Sequence, residues 1–135
     1  MSGKFSNARR WLRMVAFLLG VVLLIWLPVE DLGEAWVLLL AAGICIWGAL
    51  RVWVSIAENS GIRAWHFALI GMVAGLAVPV LGIALMVFKS GLHSHQSPDF
   101  TTAQMGGLLL RTPYWGIGGF LIGAGLGILY ILKIS

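Results

Sequence analysis

The chain has 135 residues, 60% of them hydrophobic and only 10% charged, with a formal net charge of +4. A soluble domain carries about 25% charged residues, and one this small has too little interior to hide so much apolar surface. These values exclude an ordinary water-soluble fold and point to an all-α integral membrane protein. Its uncharged windows, 14–29, 35–50, 64–88 and 112–132, are continuous. Barrel strands alternate apolar and polar positions instead, so four transmembrane helices in a single domain, 1–135, are expected.

Residues 1–10 are polar and basic and are expected to fray or to lie on the headgroups, with Phe5 and Trp11 dipping inward. The first span is expected at about 11–27, with Arg13 snorkelling to the interface. It ends at Pro28, which has no amide proton to extend the helix. The run lacks a small-residue cleavage site, so it reads as a retained span rather than a signal peptide.

The link 29–34 is short, which makes spans one and two antiparallel neighbours. Span two is expected at about 35–54, with Trp36 and Trp53 at the two interfaces. It contains the single cysteine, Cys45, which has no intrachain disulfide partner and reads as a small packing residue.

Span three is expected at about 65–88. Gly71 and Gly75 form the small-x-x-x-small pattern that lets helix backbones approach closely in lipid. Pro79 removes a helical hydrogen bond at mid-span and marks a kink. His66 stands at the start of the span beside Trp65. An intramembrane histidine is a weak candidate ligand for haem or a pigment, but no second histidine lies at membrane depth to complete a haem site.

Residues 89–113 form an expected extracytoplasmic loop. His93 and His95, with Asp99 or Met105, are a weak copper or zinc candidate, because two histidines fall short of a structural zinc set. Thr101 and Gln104 have capping-box spacing. A short amphipathic surface helix is expected at 102–111, stopping before Pro113. Span four follows at about 114–132, with Gly119, Gly123 and Gly127 in one helical stripe that calls for a close helix neighbour.

The basic residues give the orientation. Lys4, Arg9, Arg10, Arg13, Arg51, Arg63 and Lys133 fall on one side, and only Lys89 and Arg111 on the other. Basic residues mark the cytoplasmic face, so both termini are expected in the cytoplasm of a bacterial inner membrane. The basic balance follows this membrane rule and calls for no nucleic acid.

No Asp or Glu lies inside the four windows. Embedded ionisable groups mark ion and proton paths, and mutually reachable polar groups mark enzymes. An enzyme is therefore not expected. The favoured expectation is a non-catalytic accessory or structural subunit of a larger membrane complex, with lipids and other membrane subunits as partners. A small homo-oligomeric transporter or channel is the alternative, and a subunit binding pigment, haem or metal is a further one. No cofactor is required by the sequence.

Overall fold

The computed structural model describes residues 2–29, 33–59, 62–92 and 100–134, and these residues are helical apart from short connections. Four helices follow in order: α1 (Ser2–Trp26), α2 (Glu34–Asn59), α3 (Ala64–Leu92) and α4 (Thr102–Ile134). Three are long and apolar enough to cross a membrane, over Glu34–Glu58, Ala64–Leu92 and Thr102–Lys133. Helix α1 is not among them. Arg9, Arg10 and Arg13 occupy its middle, and the helix ends at Trp26. That leaves residues 14–26 uncharged, about 20 Å at ~1.5 Å per residue, against a hydrocarbon core of ~30 Å.

Each helix packs mainly on its neighbour in the chain: α1 on α2, α2 on α3, α3 on α4. The tightest of these joins is between α3 and α4. Gly71 lies against the carbonyl of Gly119, Gly123 against Phe67, and Gly127 against Ala64. As the α3 number falls, the α4 number rises, so the two helices are antiparallel.

The core gathers at one end of the molecule. Trp26 of α1, Val37, Leu40 and Ala41 of α2, Val78, Leu85 and Met86 of α3, and Phe100 and Leu108 at the start of α4 form one buried cluster. The outward surface is dense with exposed apolar side chains, among them Phe17, Leu39, Val73 and Leu110. A water-soluble monomer rarely exposes so much; lipid accommodates it.

The expected separate surface helix at 102–111 is not a separate element. Helix α4 runs unbroken through Thr112 and Pro113, so the expected start of span four near 114 and the stop before proline are both corrected. Two features explain the continuity. Leu108 is fully buried in the core, with a side-chain methyl near Gly82 of α3, which fixes the first turns of α4 against the bundle. Proline leaves a carbonyl one turn earlier without its usual donor, and local side-chain bonds and neighbouring helices make such prolines tolerable in apolar helices. The carbonyl freed by Pro113 is that of Leu109; one residue before it, the Thr112 hydroxyl donates to the Leu108 carbonyl at 3.4 Å.

The start of α4 is set by the capping box. The Thr101 amide donates to Gln104 Oε1 at 2.8 Å, and the Gln104 amide donates to Thr101 Oγ1 at 3.2 Å. Two otherwise orphaned amides are thereby satisfied. Helix α3 likewise extends to Leu92, past the expected end at 88, and continues through the buried Pro79.

Candidate functional site

The glycines singled out by spacing come together inside the chain. A Cβ on Gly71 or Gly119 would strike the other residue's carbonyl oxygen, and a Cβ on Gly75 would strike that of Trp115. At Gly127 it would stand 2.7 Å from the Ala64 oxygen. Only hydrogen fits at these positions. The two stripes, Gly71 and Gly75 on α3 and Gly119, Gly123 and Gly127 on α4, are therefore occupied by each other.

Polar side chains tie helices near both ends of the bundle. Where α1 begins and α2 ends, Arg9 pairs with Glu58 at 3.3 Å. On the same pair of helices the Trp47 indole donates to the Leu12 carbonyl at 2.8 Å, and Arg51 lies over the Trp47 ring at 5.6 Å. At the opposite end Arg111 of α4 meets Glu34 of α2 at 3.5 Å.

The strongest tie at that end is one that sequence reasoning missed. Lys89 of α3 is almost wholly buried, at 2% exposure. Its ammonium donates to the Val29 carbonyl at 2.7 Å and stands 4.6 Å from the centroid of the Trp26 ring. A buried charge is stable only when hydrogen-bonded or paired, and an indole face adds cation–π attraction. Lys89 thus locks the end of α1 to α3. In the sequence it sits where an apolar run gives way to a polar stretch, which reads as an interfacial lysine. No local pattern links it to Trp26, 63 positions earlier.

His66 is built into the start of α3. Its Nδ1 accepts the Arg63 amide at 3.0 Å, and its own amide donates to the Arg63 carbonyl at 3.0 Å. Its ring stacks on Trp65 with centroids 4.0 Å apart. Nδ1 is thereby engaged within the chain at the helix start.

The candidate metal ligands His93, His95 and Asp99 lie outside the described residues. Among the described residues, no three His, Cys, Asp or Glu side chains converge.

An apolar groove of about 870 Å³ is walled by α2, α3 and α4. Ala42, Ile46, Leu50 and Trp53 form the α2 side, while Phe67, Ile70, Ala74 and Val78 form the floor. Helix α4 supplies a longer wall from Tyr114 to Lys133, and among the described residues Lys133 is the charged one lining the groove. Trp53, Phe67 and Tyr130 cluster at the Lys133 end, with ring centroids 5.7 and 5.2 Å apart. Sequence reasoning did not find the groove, since it arises from the divergence of α2 from α4 rather than from any local motif. Such a lining, apolar apart from Cys45, Tyr114, Tyr130 and Lys133, suits binding of apolar matter. Comparison of the chain with protein-family models, curated proteins and solved structures gives no match.

Proposed function

We propose that this chain is a non-catalytic accessory subunit of a larger membrane assembly, crossing the bilayer four times with both termini on the cytoplasmic side of a bacterial inner membrane. The observation that carries this reading is the use made of its polar groups. Lys89, Arg111 with Glu34, Arg9 with Glu58, and Trp47 each bridge one helix to another. None of these bridging groups lines the apolar groove, and the windows between them contain no Asp, Glu, Lys or Arg. Transport and catalysis place ionisable groups at membrane depth; a scaffold places them where helices need fastening.

The fourth crossing is supported by Trp11 and Arg13. Arginine snorkelling and an aromatic belt residue extend the apolar run of α1 toward the interface. The excess of basic residues on the side of both termini supports the orientation.

Because the glycine stripes are filled within the chain, partner subunits would dock on the outer apolar faces. The exposed side of α1, with Phe17, Leu24 and Ile25, is the first such face. Tagged protein extracted in mild detergent is expected to bring down larger membrane subunits in fixed stoichiometry. Recovery of the chain alone, or only with copies of itself, would overturn the proposal.

A further inference from the structure

The groove between α2 and α4 has a length, an apolar inner end and a charge that together specify an occupant. Its floor on α3 runs from Phe67 to Val78, and its α2 wall runs from Ala42 to Trp53. Each stretch is about 16 Å at ~1.5 Å per residue. That is close to half of a ~30 Å hydrocarbon core, the depth of one leaflet. At the inner end the lining reaches Val78, which belongs to the buried core, and Ala42, which packs against that core. The outer end carries Lys133, beside the aromatic cluster of Trp53, Phe67 and Tyr130.

We propose that this groove holds an acyl chain of an anionic glycerophospholipid from the leaflet on the side of the chain termini, with the lipid phosphate at Lys133. The volume, about 870 Å³, falls within the ~300–1,000 Å³ of small-molecule sites, which pair apolar linings with a few fixed polar groups. Small residues keep the space open: Ala74 lies on the floor, and Gly118 has nothing within 4 Å of where its Cβ would stand. Basic pockets between helices at the cytoplasmic end bind anionic headgroups in this way, and Trp and Tyr favour headgroup depth.

The α4 wall is longer, about 28 Å from Tyr114 to Lys133 at ~1.5 Å per residue, but the α2 and α3 sides enclose the groove over only one leaflet, so a membrane-crossing partner helix fits less well. A second copy of the chain fits less well too. Inserted in the same orientation, it brings its own Lys133, Arg51 and Arg63 to the end where Lys133 already stands, and like charges repel. The lipid site does not depend on the accessory role, only on the groove and on both termini sharing one side.

The test is native mass spectrometry of delipidated protein incubated with equal amounts of phosphatidylglycerol and phosphatidylcholine in mild detergent. One retained phosphatidylglycerol is expected, preferred about fivefold, the scale of one basic side chain at an anionic surface. Lys133→Gln should bring the two lipids to near-equal retention. Ala74→Phe should abolish retention of both, with helical content checked by circular dichroism. If that variant does not fold, Gly118→Val fills the same groove from α4. A diazirine side chain in place of Ile70, activated in native membranes, should label lipid. Equal retention by the unaltered protein, retention that survives a folded groove-filling variant, or a crosslink to a second copy or another polypeptide instead of lipid would overturn the proposal.

Discussion

The Lys89 ammonium reaches from α3 to the backbone carbonyl of Val29, 2.7 Å away and just beyond the end of α1, while lying over the ring of Trp26. One side chain thus fastens the first helix to the third at the end where the core is densest. A hydrogen bond from a charged donor contributes about 1.5–3 kcal/mol. Lys89→Met keeps the aliphatic stem and removes that bond. It should lower unfolding free energy in detergent by about this amount, read as a downward shift in melting temperature. An unchanged melt would mean that the tie is not energetically significant.

Glycine positions should divide sharply. Gly119→Ala places a methyl group against the Gly71 carbonyl and forces α3 and α4 apart. Overpacking of this kind costs about 1–3 kcal/mol. Gly125→Ala, where nothing lies within 4 Å, should be neutral or gain up to about 1 kcal/mol from helix propensity. Thermal melts of the two variants side by side check this. Equal behaviour would contradict the close approach of α3 and α4.

The two ion pairs should matter far less than Lys89. Arg9 and Arg111 have side chains 60% and 63% exposed, and solvent-exposed pairs contribute about 0–1 kcal/mol. Glu34→Gln and Glu58→Gln should each shift stability by less than about 1 kcal/mol, with any effect shrinking as salt is raised. A larger, salt-independent loss in either variant would show that its pair is shielded from solvent.

His66 offers a local test of how α3 begins. Removing a side chain that closes a helix start costs about 0.5–2 kcal/mol. His66→Ala should show a loss in that range. His66→Asn, which keeps an acceptor for the Arg63 amide, should recover part of it. No difference between the two would indicate that the Nδ1 contact does not hold the helix start.

Patterns carried by neighbouring residues were legible in the sequence, and relations between distant residues were not. Long apolar runs identify α2, α3 and α4, because a backbone without water must satisfy itself as helix. Thr101 and Gln104 announce the start of α4 since a capping box is local. Pro113 misled, because its local preference against helix is outweighed by the burial of Leu108, a contact with α3 that no window of sequence contains. Glycine spacing at Gly71 and Gly119 signals a close approach but names no partner; the structure supplies it within the same chain. The burial of Lys89 and the groove ending at Lys133 depend on how helices sit relative to one another, so neither has a local signature.

The most direct test of the central claim is ion and solute flux through the purified chain alone, reconstituted in liposomes. A scaffold with no Asp, Glu, Lys or Arg in its apolar windows should give flux indistinguishable from protein-free vesicles across pH and salt gradients. Reproducible flux that is abolished by a folded Ala74→Phe variant would contradict the account and make the groove a conduction path instead.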